Sequence, residues 1–316
     1  MIIQNNIPLK NKSWFETGGK AHYFAEPISI EDYISALNFA REKKCEIFTL
    51  GSGANILVSD AGFNGLVIKP ANKNCEIIFS DNENNVLVRA DAGAEIQDLI
   101  NFCLENNLIG LEEFSGIPGS IGGAVFINIH YFNFLLSQFL VSARVIDKST
   151  CKIEEVSAEW FDFGYDKSKL HNGNQILFDA IFKVKKVDNI KSSFAKGRSV
   201  EIIRHRENRY PIERTCGSFF QNFSPEEIPF EINGKKQIHV AYYLDKLGIK
   251  GELRVGGAVV SRKHANMIEN DGSATSNDIA ALARKMQELL KEKFDIIPKP
   301  ECRLIGFDEY PLISRL

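Results

Sequence analysis

Apolar residues recur every three or four positions in three stretches, and this spacing predicts amphipathic helices at 29–45, 96–104 and 277–294. A charged helix is expected at 193–209 and a short one at 241–247. Ser29 is the expected N-cap of the first helix, and Ser276 or Asn277 of the last. Short apolar runs between turn residues predict strands at 47–50, 56–58, 76–79, 85–90, 141–146 and 176–184. Helices and strands therefore intermingle, and no fixed repeat is evident.

The length of the chain limits the number of domains. With 316 residues, of which 44% are hydrophobic, it is expected to form two or three compact domains. A first small α+β unit is expected to end near Pro70, and the asparagine-rich segment 72–74 is expected to link it to the next domain.

Charge and cysteine usage exclude several classes of protein. Lys and Arg number 38 against 41 Asp and Glu, so the net charge of −3 gives no general attraction to nucleic acid or anionic lipid. The six cysteines are widely spaced without a CxxC pair, which disfavours a disulfide framework and a zinc cluster. The beginning of the chain does not have the pattern of a secretion signal, so a cytoplasmic location is expected.

One stretch, 114–143, contains no Asp, Glu, Lys or Arg and is long enough to span a bilayer. It also contains several glycines, a proline, and Asn, His and Gln side chains, which fit hydrocarbon poorly. We therefore expect no transmembrane helix here.

Two glycine-rich loops are candidate anion sites. Gly51–Asn55 lies between two predicted strands, and Ser115–Ala124 follows about sixty residues later. Glycine allows backbone N–H groups to face an oxyanion, so together the loops could hold a pyrophosphate, although each could also be a closely packed turn. Neither matches GxxxxGK[ST], or GxGxxG between a strand and a helix, so nucleotide hydrolysis and a Rossmann site are disfavoured.

Three further polar clusters are candidates for pocket groups. The segment 215–222 sets a hydroxyl and an amide beside two phenylalanines, which suits a proton donor next to a flat ring but also a simple turn. Cys216 within it is either a nucleophile or a buried thiol. The segments 263–266 and 300–303 and the basic stretch 204–214 are either pocket groups or ordinary surface.

Six segments in order resemble the UDP-N-acetylenolpyruvoylglucosamine reductase family, in its shorter class without a tyrosine-bearing insertion. They are Gly18-Gly19, LGSGANILVSDAGFNGLVI, GIPGSIGGAVFIN, RYPIERTCGSFFQN, VSRKHANMI with GSATSNDI, and PECRLIG. The resemblance implies an α+β fold with a two-part FAD-binding domain of the vanillyl-alcohol-oxidase type and a C-terminal α+β substrate-binding domain. The implied boundaries are 1–70 and 71–200 with 298–316 for the two flavin-binding parts, and 201–297 for the substrate-binding domain.

The resemblance also implies an activity: FAD-dependent reduction of UDP-N-acetylglucosamine enolpyruvate to UDP-N-acetylmuramate with NADPH, in peptidoglycan precursor synthesis. The implied partner is a UDP-sugar, with no nucleic acid, membrane, metal or obligate protein partner. In that reaction NADPH reduces FAD, and the enolpyruvyl group then takes a hydride from flavin N5. The implied cofactor-binding residues are Gly51, Ser52, Gly53, Ala54, Asn55, Ile117, Pro118, Gly119, Ser120, Gly122, Gly123 and Ala124.

The resemblance assigns Ser218 as the proton donor and Glu301 as the acid that helps to stabilise or protonate the intermediate. Tyr165, Arg209 and Asn222 match substrate-binding positions. Three departures surround this implied site. Asp166 stands where the family has an arginine, Gln221 replaces a lysine, and Asn128-Ile129-His130-Tyr131-Phe132-Asn133 replaces Asn-Ala-Gly-Ala-Tyr-Gly.

Two interpretations of these departures remain open. Lys167 could turn inward and act in place of the missing arginine, as a point charge and not as a planar fork. Alternatively, the chain is a diverged flavin oxidoreductase or flavin-binding protein whose activity is altered or lost.

Overall fold

The computed structural model describes residues 1–231 and 234–314. The chain forms two compact units that are each discontinuous in sequence. The first comprises Met1–Asn5, Tyr23–Ser52 and Gly65–Arg206, and the second Asn6–His22, Gly53–Asn64 and Glu207–Leu316. The sequence analysis predicted three parts, two that bind flavin and one that binds substrate. Their boundaries stay a prediction.

Helices and strands are mixed throughout the described residues. The α-helices are α1 (Ile30–Lys43), α2 (Ile96–Glu105), α3 (Ile121–Ile127), α4 (Asn189–Arg209), α5 (Val240–Lys246) and α6 (Ser276–Phe294). The strands are β1 (Gln4–Pro8), β2 (Lys20–Ala25), β3 (Glu46–Thr49), β4 (Ile56–Val58), β5 (Phe63–Ile68), β6 (Cys75–Ser80), β7 (Asn85–Asp91), β8 (Leu108–Ile109), β9 (His130–Tyr131), β10 (Phe134–Leu135), β11 (Leu140–Asp147), β12 (Ile153–Ser157), β13 (Gln175–Lys186), β14 (Arg254–Val255), β15 (Ala258–Val260), β16 (Ile268–Asn270) and β17 (Arg303–Ile305).

The first unit is built on an antiparallel sheet in the order β12-β11-β13-β7-β6, with β8 also paired to β13. Along β7 the side chains of Val86, Val88 and Ala90 are buried and alternate with more exposed ones, so one face of this strand turns towards the core. Helix α2 contributes its predicted apolar face to the same core. A separate parallel pairing of β3 with β5 supports α1, whose N-cap is Ser29 as expected.

The second unit packs α5 and α6 with the small antiparallel sheet β14-β15-β16, while β17 pairs in parallel with β4. Its core contains Phe219, Phe220 and Tyr243, which are almost fully buried. The predicted cap of α6 is wrong by one residue. Thr275 is the N-cap, because its side chain accepts a hydrogen bond from the Asp278 amide and its own amide donates to Asp278.

The charge-free stretch 114–143 contains α3 and two short strands. No helix in the described part of the chain is long and apolar enough to cross a membrane. Helix α3 was not predicted, because Gly122 and Gly123 are poor helix formers. The signal that indicates it is Ser120, whose hydroxyl accepts a hydrogen bond from the Gly123 amide and caps the first turn.

Candidate functional site

The first glycine loop, Gly51–Asn55, presents unused hydrogen-bond donors. The backbone N–H groups of its five residues donate no hydrogen bond to any described residue. The side-chain oxygen of Asn55 is buried, and it too has no hydrogen-bond partner in the described chain. Buried polar groups are normally paired, so this loop has the properties of a site that binds a polar ligand.

The backbone amides of the second glycine loop fall into two groups, those already hydrogen-bonded to the protein and those still able to donate to a ligand. Beyond Ser120 the amides of Ile121 and Gly122 donate to the carbonyl oxygens of Ala94 and Ala92, at 2.8 Å each. These amides are therefore committed to the protein, as is that of Gly123, and cannot donate to an anion. Before them, the amides of Gly119 and Ser120 have no acceptor among the described residues.

Gly51 and Ser120, one from each loop, lie close together within the first unit. A Cβ atom placed on Gly51 would lie 2.6 Å from the Ser120 hydroxyl oxygen, so only glycine allows this approach without a shift. The neighbouring Ser52 hydroxyl donates to Glu95, at 2.7 Å from Oε1, and Glu95 forms an isolated bridge with Ser120. Glu95 was missed by the sequence analysis, and no motif marks it.

In the second unit, the backbone brings the two predicted proton donors onto neighbouring segments. Ser218 forms an isolated bridge with Met267, and the Glu301 amide donates to the Phe219 carbonyl oxygen at 2.9 Å. The buried Asn266 side chain fixes this segment, because it accepts from the Phe220 amide at 3.1 Å and donates to the Phe220 carbonyl at 2.8 Å. Asn266 thus has a structural role, because it holds the backbone of the segment that carries Ser218.

The predicted substrate-binding residues Arg209 and Asn222 also lie in this unit. The Asn222 side-chain oxygen accepts from the Val240 amide at the start of α5, at 3.3 Å. Burial, together with the positive charges of Arg209 and Lys250, lowers the pKa of His264 to about 4. His264 therefore stays neutral near a cationic group of side chains, which suits a phosphate-bearing ligand.

A turn in the first unit carries the three residues around the missing arginine. Tyr165 and Lys167 are exposed, whereas Asp166 between them is buried. Asp166 Oδ1 lies 3.4 Å from His130 Nδ1. Two of the three departures from the family pattern, those at residues 130 and 166, are therefore in contact, whereas Lys167 is exposed.

The remaining candidates have structural roles. Burial raises the pKa of the Cys216 thiol well above its usual value, with the neighbouring Cys302 adding to the effect, so it is a poor nucleophile. The Gln221 amide donates to the Lys299 carbonyl oxygen at 2.9 Å. Within the part of the chain that the structure describes, no group of His, Cys, Asp and Glu side chains could hold a metal ion.

The fold and its unpaired loop amides define a class, the FAD-binding proteins. The family model for an FAD binding domain matches residues 21–157, and that for the C-terminal domain of UDP-N-acetylenolpyruvoylglucosamine reductase matches residues 209–305. The expected α+β fold, with an FAD-binding domain and a separate C-terminal domain, is confirmed.

The chain belongs to the UDP-N-acetylenolpyruvoylglucosamine reductase family. It is 34% identical to the enzyme of that name from Clostridium perfringens (strain SM101 / Type A), over 97% of this chain and 94% of the relative. It is equally similar to the one from Clostridium novyi (strain NT), at 34% identity over 96% of this chain and 92% of the relative. The crystal structure of the reductase from Thermus caldophilus has a TM-score of 0.75 at 26% identity, covering 97% of this chain and all of that one. None of these comparisons favours a diverged flavin-binding protein over a reductase.

Proposed function

We propose that this chain reduces UDP-N-acetylglucosamine enolpyruvate to UDP-N-acetylmuramate, with FAD as cofactor and NADPH as reductant. The observation that carries the proposal is the row of unpaired amides from Gly51 to Asn55 in a chain whose relatives, across nearly its whole length, are reductases of this substrate.

The residues present fit a flavin dinucleotide. An FAD diphosphate is an acceptor-only group, and in the first unit the amides of Gly51, Ser52, Gly119 and Ser120 are donors without an acceptor among the described residues. The same holds in the second unit for the amides of residues 53–55. The buried Asn55 oxygen needs a donor, which a ribityl or ribose hydroxyl would supply. Ile117, Pro118 and the glycines 122 and 123 would then line the cofactor through their surfaces, as would Ala124, because the amides of these last three residues are already bonded.

When bound, FAD would supply hydride chemistry, with NADPH as the source of the hydride and the terminal carbon of the enolpyruvyl double bond as its acceptor. The electron pair of that bond moves to the adjacent carbon and into the carboxylate. Ser218 is the proposed donor of the proton that this carbon receives, and Glu301 the acid that supports the transfer. The overall change consumes one NADPH and one proton for each double bond reduced.

The substrate's other groups are assigned to the remaining polar side chains. Within the second unit, Arg209 and Asn222 are the proposed contacts of the UDP-sugar. Tyr165, in the first unit, is 53% exposed on its turn and remains a predicted substrate-binding residue. The proposal includes a cytoplasmic location and no nucleic-acid, membrane or obligate protein partner. The reaction requires FAD, NADPH and small nucleotide sugars alone.

The test separates the two half-reactions. Purified protein loaded with FAD is mixed with NADPH in a stopped-flow spectrometer, and loss of the yellow flavin absorbance is followed; the enolpyruvyl nucleotide is then added and recovery of the absorbance is recorded. We expect both phases in the parent, and a normal first phase with a greatly slowed product-forming phase in Ser218→Ala. Bleaching by NADPH without recovery on adding the nucleotide would refute the assigned substrate.

A further inference from the structure

A buried carboxylate faces a histidine at the start of β9, three residues after α3. The Asp166 side chain is 4% exposed, and its Oδ1 atom lies 3.4 Å from His130 Nδ1. Its other oxygen, Oδ2, is buried and has no hydrogen-bond partner within the described chain. A buried carboxylate is costly unless it is paired, so His130 is the group that allows Asp166 to occupy this position.

The backbone around this pair is held in place from α3. Asp166 occupies a two-residue turn that the Gly164 amide closes onto the Lys167 carbonyl oxygen at 3.0 Å, and its φ of 51° is left-handed, which costs energy in a residue other than glycine. Asn128, which ends α3, donates to the Gly164 carbonyl oxygen at 3.3 Å. Ser168, just after the turn, donates to the carbonyl oxygen of Phe126 at 2.7 Å. Two hydrogen bonds therefore fix the turn to the helix.

This helix begins at the proposed flavin-lining residues. Ala124 and Asn128 are four residues apart, about 6 Å along a helix axis. The His130 ring lies 5.0 Å, between centroids, from the ring of Tyr165, which is assigned to the substrate. The histidine is thus close in the chain to the proposed cofactor surface and beside a proposed substrate contact.

We propose that His130 is a catalytic residue of this chain: as an imidazolium it donates a hydrogen bond from Nε2 to the carboxylate of the enolpyruvyl group, while its Nδ1 faces Asp166, which positions the ring. The proposal rests on the proposed function. His130 transfers no proton; it stabilises the negative charge that grows on the carboxylate as the double bond is reduced.

The geometry supports His130 over Lys167 in this role. Nδ1 and Nε2 lie on opposite edges of an imidazole, so a carboxylate facing Nδ1 leaves Nε2 for a ligand. The His130 side chain keeps 31% of its surface exposed, which leaves room for one. Lys167 is exposed, and the Asp166 carboxylate alone would repel the anionic substrate.

The primary test compares half-reactions in FAD-loaded His130→Gln and the parent. Removing one donor to a developing oxyanion costs about a hundred-fold to a thousand-fold in rate. We expect a loss of that size in substrate-dependent flavin reoxidation, with bleaching by NADPH unchanged. His22→Gln, which changes an exposed histidine in the other unit, is the matched control and should behave as the parent.

Two further measurements separate a positioning role from a structural one. Asp166→Asn should slow reoxidation in the parent but have little further effect in His130→Gln, because Asp166 acts through the histidine. In His130→Ala, added imidazole should restore part of the rate.

Equal reoxidation rates in His130→Gln and the parent would overturn this inference and leave the proposed function intact. So would independent, additive effects of the two substitutions, or a failure of imidazole to raise the rate of a folded His130→Ala protein. If the parent itself is not reoxidised by the enolpyruvyl nucleotide, it is the proposed function that fails.

Discussion

Replacing Gly51 by alanine tests whether Gly51 and Ser120, which lie close together in the first unit, belong to one cofactor site. The new methyl carbon would lie 2.6 Å from Ser120 Oγ, and its next contact would be the Gly123 Cα at 3.8 Å. Ordinary van der Waals contact begins near 3.4 Å, so either the hydroxyl or the loop must move by about 0.8 Å. The steric clash of the new methyl group is therefore with the Ser120 hydroxyl oxygen alone.

The size of the effect follows from what that oxygen does. Ser120 Oγ accepts from the Gly123 amide at 3.3 Å and caps α3. Displacing it removes a cap worth about 0.5–2 kcal/mol. If the loop moves instead, the Gly51 and Ser52 amides leave their places by a similar distance. Either way, we expect FAD to bind about two-fold to thirty-fold more weakly, since 1.4 kcal/mol corresponds to a tenfold change.

The assay is a titration of flavin-free protein with FAD, followed by quenching of flavin fluorescence. Ser120→Ala removes the conflicting oxygen, and in that background a methyl on residue 51 meets nothing closer than ordinary contact. We therefore expect Gly51→Ala to weaken FAD binding in the parent and to have almost no further effect after Ser120→Ala. The same loss of affinity in both backgrounds, or no loss in the parent, would refute the shared cofactor site.

Three other substitutions test parts of the fold by chemical denaturation. Gly197→Ala should raise the free energy of unfolding by about 0.5–1 kcal/mol, because Gly197 lies within α4 and a Cβ there meets open space; a decrease would contradict this. Asp60→Asn should lower it by about 1 kcal/mol, since the carboxylate accepts from the Ser276 amide at 2.8 Å at the start of α6; an unchanged midpoint would count against that contact. Hydrogen bonds from Ser149 and Thr150 lower the pKa of Asp147 from 3.8 to about 2, so its contribution is present above pH 3.8 and is lost as the pH falls towards 2. Asp147→Asn should thus be less stable than the parent at neutral pH, with the difference closing in acid; a constant difference would show that the charge is not involved.

The long amphipathic helices could be predicted because their periodicity comes from burial. In α2 and α6 the residues expected to face inward are buried, and α1 begins where its serine cap indicated. The strands at 56–58 and 85–90 were also placed to within a residue. These elements have one face against a core, and the hydrophobic pattern records that face directly.

The glycine loops could be predicted only in part. Their composition indicated an anion site, and the unpaired amides of Gly51–Asn55 agree with that expectation. Composition could not show that half of the second loop is helical, or that its amides at Ile121 and Gly122 are already bonded to the segment before α2. Which donors remain free depends on pairing with distant backbone, and no local pattern encodes that pairing.

The contact between His130 and Asp166 is invisible in the sequence for the same reason. His130 lies in the short strand β9 and Asp166 in a turn 36 residues later, and each looks like an isolated loss of a family residue. Leaving one partner of a buried ion pair alone costs about 3–5 kcal/mol when both are buried, and less here because the histidine is partly exposed. A chain that carried only the aspartate would therefore hold an unpaired buried charge in this turn. With the histidine present, the same carboxylate is paired and holds the imidazole ring in place. The departures at residues 130 and 166 therefore act as one change.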